Sequence, residues 1–90
     1  MKKAIITVVG LDHPGIIARV STYLSDKNIN ILDISQTIVG GYFNMMMIVD
    51  LAEATASIGQ LNDELAAVGE SLQVSIRLQL EEIFTSMHRI

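Results

Sequence analysis

Two adjacent glycines, Gly40 and Gly41, stand between two runs of β-forming residues. The first run, Ile29 to Val39, is rich in isoleucine and carries no helical stripe. The second, Tyr42 to Asp50, is largely apolar. Both central residues of a tight hairpin turn need positive φ, which glycine adopts without steric penalty. The pair therefore commits the middle of the chain to an antiparallel hairpin. In its second strand Phe43, Met45, Met47 and Val49 share one face. Tyr42, Asn44, Met46, Ile48 and Asp50 share the other. Met45 and Met47 are expected in the core, and Met46 on a surface open to a partner.

On each side of the hairpin the pattern reads strand and helix. Lys3 to Val9 is a short β-branched run bounded by Gly10, expected as a strand buried on both faces. Pro14 suits the first turn of a helix, where its missing N–H has no partner to lose. Ile16, Val20, Tyr23 and Leu24, with Ile17, then form an apolar stripe at helical spacing. That helix is expected to end near Lys27 and Asn28, because asparagine tolerates the left-handed conformation that stops a helix. Ser57 with Gln60 three residues later is a capping-box pattern. Ile58, Leu61, Leu65 and Val68 follow, with a predicted helix end at Gly69. Leu72, Val74, Ile76, Leu78 and Leu80 alternate with polar residues from Ser71 to Gln79, predicting a strand with one dry and one wet face. Glu81 to Ile90 is expected as a tail helix with Ile83, Phe84 and Met87 on one side.

The predicted order is therefore β-α-β-β-α-β plus a tail, an α+β chain. Short connections and right-handed crossovers favour a four-stranded antiparallel sheet, order 4-1-3-2, with both main helices on one face. This is the ferredoxin-like sandwich, with the second strand at an edge. Ninety residues hold one domain, with a core over residues 2–80 and the tail helix over 81–90.

Composition narrows the function. Half the residues are hydrophobic, rich for so short a chain, which suggests apolar surface left for a second copy. Six basic residues face ten acidic ones, for a net charge of −4, and no basic stripe is present. Direct nucleic-acid binding is not expected. Without cysteine there is no disulfide scaffold, thiolate metal site or thiol catalysis. Zinc or nickel would need more than His13 and His88, which lie far apart in sequence. No cofactor is expected. The apolar run after Met1 stops at Gly10-Leu11-Asp12 with no cleavage pattern, and no stretch approaches a membrane span. A cytoplasmic protein with no membrane contact is the expectation.

The candidate site is the loop that joins the first strand to the first helix: Gly10, Leu11, Asp12, His13, Pro14, Gly15, then Ile16 and Ile17. A helix start presents free N–H groups and a partial positive charge, and so matches a carboxylate or phosphate. Gly10 and Gly15 would let backbone and ligand approach closely. Asp12 adds one negative charge beside the donors. Carboxylate to the amides and ammonium to Asp12 would suit a zwitterion. The simpler reading is that Asp12 or His13 only caps the helix, with His13 otherwise facing solvent. A second polar position, Asn30, opens the edge strand beside Ile31. It reads either as a solvated strand start or as a group that orients a polar ligand.

With Asp12-His13-Pro14-Gly15-Ile16-Ile17 entering the first helix and Asn30-Ile31 entering the second strand, the chain resembles an ACT domain. It is most similar to small stand-alone members and, more distantly, to the ACT regulator of the glycine cleavage operon. The element order agrees over residues 2–80. The resemblance implies a small-molecule-sensing module of amino-acid metabolism. It also implies a homodimer or higher oligomer paired edge to edge through the second strand. The ligand would sit between the loop of one subunit and Asn30-Ile31 of the other. Asp12 would contact the ligand, Gly15 and Ile16 would supply helix-start amides, and Asn30 would reach in from the partner. With no enzyme or DNA-binding domain in the sequence, the output is expected to pass through an unidentified protein partner. Glycine, serine or alanine suits a small pocket near Ile16, Ile17 and Ile31.

Two other functions compete. One is a structural adaptor whose pocket is vestigial, which fold similarity alone does not separate from a sensor. The other is an acylphosphatase-like hydrolase, for which Arg19 and Asn44 are the candidate pair. Arg19 falls inside a predicted helix with no Gly-rich phosphate loop around it, and Ser21, Thr22 and Ser25 lack an adjacent base. The chain is not expected to be an enzyme.

Overall fold

The computed structural model describes residues 1–87. Its elements run β1 (Lys3–Leu11), α1 (Ile16–Asp26), β2 (Asn30–Val39), β3 (Tyr42–Asp50), α2 (Ile58–Leu72), β4 (Val74–Leu80) and α3 (Glu81–Met87). The four strands form one antiparallel sheet in the order β2-β3-β1-β4, with β2 at an edge. This is the ferredoxin-like arrangement expected from the pattern, the same order read from the other edge. Gly40 and Gly41 have φ of 57° and 83°, and Val39 pairs with Tyr42 across the turn they make. The predicted tail beyond Met87, with His88, lies outside the described residues.

The core fills the space between the sheet and the two long helices. Ala4, Ile6 and Val8 of β1, Phe43, Met45, Met47 and Val49 of β3, and Val74, Ile76 and Leu78 of β4 line its floor. Ile16, Val20 and Leu24 of α1 and Leu61, Leu65 and Val68 of α2 come down from above. Polar contacts join the helices over this core. The Tyr23 hydroxyl donates to Glu64 at 2.8 Å, and Lys27 Nζ lies 3.2 Å from the same carboxylate. That lowers the Glu64 pKa, through the Gln60 hydrogen bond first and then through Tyr23 and Lys27. At the start of α2, Ser57 Oγ accepts from the Gln60 N–H at 3.2 Å. The Gln60 side chain turns instead to Glu64, so only half of the expected capping box forms.

Several boundaries differ from the sequence expectation, each for a packing reason. α2 does not stop at Gly69. It runs on to Leu72 and ends at Gln73, which takes φ of 59°. A Cβ on Gly69 would stand 2.6 Å from the Val74 carbonyl oxygen, so glycine here lets helix and strand approach rather than ending the helix. β4 accordingly begins at Val74, and Ser71 and Leu72 belong to the helix. β1 continues past Gly10 to Leu11, because Gly10 pairs with both Phe43 and Val74. Pro14 lies before α1 rather than in its first turn, since Gly15 at φ 96° cannot be helical and becomes the N-cap. Asn28 does adopt the left-handed conformation, at φ 59°.

Pairing in register places one residue from each strand side by side, so the face away from the helices can be mapped in rows. One row is Ser35, Met46, Thr7 and Arg77; the next is Thr37, Asn44, Val9 and Ser75; the last is Val39, Tyr42 and Leu11. β1 is not buried on both faces as expected. On this open face Ile5 is covered, near the end where α3 meets β1 and β4, but Val9 and Leu11 are exposed. Met46 is exposed as expected, while Met45 and Met47 are buried. The helices also leave β2 overhanging. Ile34 and Ile38 share the helix side with Met47 and Phe43, yet are 44% and 60% exposed. Ile29, expected on that edge, is buried in the core instead.

Candidate functional site

The loop from Leu11 to Ile16 is anchored at both ends. Asp12 N–H donates to the Gly41 carbonyl at 2.9 Å, which ties it to the hairpin turn. His13 Nε2 lies 2.6 Å from the Leu72 carbonyl oxygen, which ties it to the end of α2. His13, expected to face solvent, is half-buried and held by its ring. Its other nitrogen, Nδ1, is 3.0 Å from the Pro14 carbonyl oxygen. Those two acceptors, Leu72 first, and the nearby Asp12 charge raise the His13 pKa above its ordinary value, against a smaller opposing effect of burial.

Neither Asp12 nor His13 caps α1. The N-cap is Gly15, and no side chain accepts from the first turn. The first amides of a helix have no intrahelical partner. Here they also lack a side-chain acceptor, and a Cβ built on Gly15 would meet nothing within 4 Å. Asp12 is exposed, and its carboxylate has no hydrogen-bond partner among the described residues. Donors and one carboxylate thus flank the same open turn. Ile16 points into the core and Ile17 is partly exposed beside the helix start.

The other members of the expected set lie elsewhere. Leu11 projects from the open face of the sheet next to Tyr42. Gly10 is occupied by the fold itself, since a Cβ there would come within 2.6 Å of the Val74 side chain. Asn30 pairs with Asp50 and so with the Lys3 end of β1, whereas the loop leaves the Leu11 end. At about 3.3 Å per residue the two ends are roughly 25 Å apart. A single chain does not bring Asn30 and Ile31 to the Gly15 turn.

Asn30 and Ile31 line a different feature, a cleft of about 430 Å³ between the second half of α1 and the start of β2. Ser21, Ser25, Asn28 and Glu53 complete its polar wall. The two serines were legible as a pair, four residues apart on one helix face. Glu53 was not. Its place follows from the loop being tied down by Asn28 Nδ2 to the Glu53 carbonyl at 3.1 Å and by Thr55 N–H to the Lys27 carbonyl at 3.1 Å. Arg19 and Asn44 do not meet. Arg19 is on α1, and Asn44 is on the far face of the sheet. Among the described residues no cluster of three or more His, Asp or Glu side chains is placed to hold a metal ion, and no helix is long and apolar enough to cross a membrane.

Comparison with known proteins bears on the family and the fold. Residues 2–79 match the ACT domain family. A UPF0237 protein of Bifidobacterium longum is 63% identical over 90 residues, covering 100% of both chains. A UPF0237 protein of Methanopyrus kandleri is 47% identical over the same length, again covering 100% of both. Among solved structures, an ACT domain protein from Streptococcus pneumoniae superposes with a TM-score of 0.82 at 43% identity, over 92% of this chain and 93% of that one. The fold alone is shared with a formyltetrahydrofolate deformylase from Pseudomonas syringae, with a TM-score of 0.83 at 20% identity over 89% of this chain and 28% of that one. It is shared likewise with a proposed glycine cleavage system transcriptional repressor, with a TM-score of 0.74 at 22% identity over 88% and 45%. An ACT domain is in general a ligand-binding regulatory module. With the βαββαβ order, the edge strand and the open turn at Gly15 all in place, this chain belongs to the ACT domain family.

Proposed function

We propose that the protein is an amino-acid sensor that works as a homodimer and passes its signal to a partner protein. The observation that carries the reading is the uncapped start of α1. Free amides of the first turn stand beside an open Gly15, with the unpartnered carboxylate of Asp12 next to them. Amides and helix dipole suit the ligand carboxylate, and Asp12 suits its ammonium.

Pairing through β2 supplies what one chain lacks. An antiparallel match of β2 with its copy, about a two-fold axis normal to the sheet, sets the start of one strand beside the end of the other. Asn30 and Ile31 of the second copy then approach the end of the sheet from which the Gly15 turn leaves. The overhanging, exposed Ile34 and Ile38 would be covered by the same contact. A site shared between copies makes ligand binding and assembly favour each other.

The test is a thermal-shift screen of the common amino acids beside the sedimentation mass, on wild type and on Asn30→Ala. A ligand at about 100 times its Kd adds roughly 2.7 kcal/mol of stability. At least one small amino acid is expected to raise Tm and hold the dimer, and Asn30→Ala is expected to lose most of that rise while keeping its fold. If no amino acid moves either Tm or mass, sensing is refuted.

A second reading, a structural adaptor, is favoured by one feature. The open face of the sheet exposes Val9, Leu11, Val39, Tyr42 and Met46 together. An adaptor would bind its partner equally well with and without amino acids.

A further inference from the structure

We infer that His13 is a proton-operated latch that fastens the β1–α1 loop to the end of α2 and thereby sets the shape of the turn at Gly15. Both ring nitrogens of His13 face carbonyl oxygens, Leu72 at 2.6 Å from Nε2 and Pro14 at 3.0 Å from Nδ1. A carbonyl oxygen only accepts, and a neutral imidazole carries one N–H. In the neutral ring one nitrogen lone pair would point at an oxygen lone pair. The imidazolium donates at both positions, so it is the form of the ring that satisfies both carbonyls at once.

The two carbonyls are not equivalent bystanders. Leu72 is the last residue of α2, where the final carbonyls lack intrahelical donors and the helix dipole is negative. Ser71 Oγ already serves Val68 in the same turn, at 2.7 Å. His13 serves Leu72 from outside the helix. The Pro14 carbonyl belongs to the peptide immediately before Gly15, the residue whose φ of 96° starts α1. One ring thus holds a helix end on one side and the peptide that orients the first α1 amides on the other.

The charged groups on the elements that meet the ring are few. Asp12 adjoins it in the loop, and Glu70 lies in the last turn of α2, which holds no basic residue. Asp12 favours the imidazolium, less strongly than the two carbonyls do. Arg19, in the first turn of α1, is the opposing cation. The raised His13 pKa has the sign this balance and the two acceptors require. Because the folded value exceeds the unfolded one, the latch is fully engaged below the ordinary imidazole value of about 6.5 and is released as pH rises through the higher folded value.

The consequence for binding rests on the sensor reading above: a carboxylate at the Gly15 turn would be held better with the latch charged, both by shape and by the added positive charge. The experiment separates the two layers. First, the ring protons of His13 are followed by NMR against pH without ligand, together with the amide signals of Gly15, Ile16 and Gln73, in wild type and His13→Gln. His13 is expected to titrate above about 6.5, with the three amides following the same midpoint in wild type and losing that dependence in the variant. A His13 midpoint at or below the ordinary value, or amides that ignore it, overturns the latch, and the wild-type titration alone decides this even if the variant does not fold.

Second, the Kd values of glycine, serine and alanine are measured near pH 6 and pH 8. Binding in wild type is expected to be roughly threefold or more tighter at the lower pH, and pH-independent in His13→Gln. Equal affinities at both pH values in wild type refute control of the turn by His13. No binding at either pH, with the titration as expected, refutes the sensor reading and leaves the latch supported.

Discussion

At single positions the surroundings of a residue, more than its type, set what it does, and two glycines in one helix show this. Gly59 and Gly69 both lie in α2. A Cβ on Gly59 meets nothing within 4 Å, whereas one on Gly69 would press on the Val74 carbonyl oxygen at 2.6 Å. Alanine is the better helix former by about 1 kcal/mol. Gly59→Ala is therefore expected to stabilise by about 0.5 kcal/mol or somewhat more, and Gly69→Ala to destabilise by about 1–2 kcal/mol, since overpacking against backbone outweighs propensity. Urea unfolding of the two variants checks the opposite signs. Neither glycine's role was legible in the sequence. A glycine after an apolar stripe looks like a helix end, and only the approach of β4 makes it a contact surface. His13 was hidden for the same reason: its acceptor, Leu72, is 59 residues away.

Between elements, α1 and α2 are joined over the core by one small polar network. Glu64 accepts from Tyr23 at 2.8 Å and from Gln60 at 3.0 Å, and pairs with Lys27, which also stands 5.9 Å from the centre of the Tyr23 ring. These partners favour the carboxylate, so the folded pKa of Glu64 lies below its ordinary value of 4.5. Stability from this source is fully present above that value and is lost as pH falls through the lower folded one. Wild type is therefore expected to lose more stability than Glu64→Gln on acidification from about pH 5 to pH 3, as read from Tm at each pH. Equal losses in the two proteins would show that the network adds nothing pH-dependent. The helical stripes themselves were plain in the sequence. That Tyr23, Lys27 and Glu64 converge was not, because it depends on how the two helices cross.

For the whole molecule the question is what covers β2. Its helix-side residues Ile34 and Ile38 overhang the core, and among the described residues no strand pairs with its outer edge. A strand edge with apolar flanks is a template for another strand. Asp33 limits this locally, because its carboxylate takes up the Ile34 N–H at 2.8 Å beside a register shift between Ile31 and Asp33. If the chain pairs through β2 as proposed, the double variant Ile34→Lys, Ile38→Lys is expected to reduce the sedimenting species from two chains to one. Both side chains are exposed, so the stability of the chain itself should change by no more than about 0.5 kcal/mol per site. A two-chain mass kept by the double variant would refute pairing through β2, and a one-chain mass in wild type would refute the dimer itself.

Local rules were enough to settle the order of strands and helices, the Gly40-Gly41 hairpin, the Ser57 cap and the inward residues of β3, because each is decided within a few residues by periodicity or by allowed φ. They also pointed to the turn at Gly15, since a proline and glycine before an apolar stripe mark a helix start wherever they occur. Tertiary structure alone decided that this start is left uncapped and that His13 is bound to the end of α2. It also put Asn30 at the far end of the sheet and made Gly10 and Gly69 serve packing. Each of these depends on which distant backbone arrives beside the residue, and that is a property of how the layers pack, written in no short stretch of the chain.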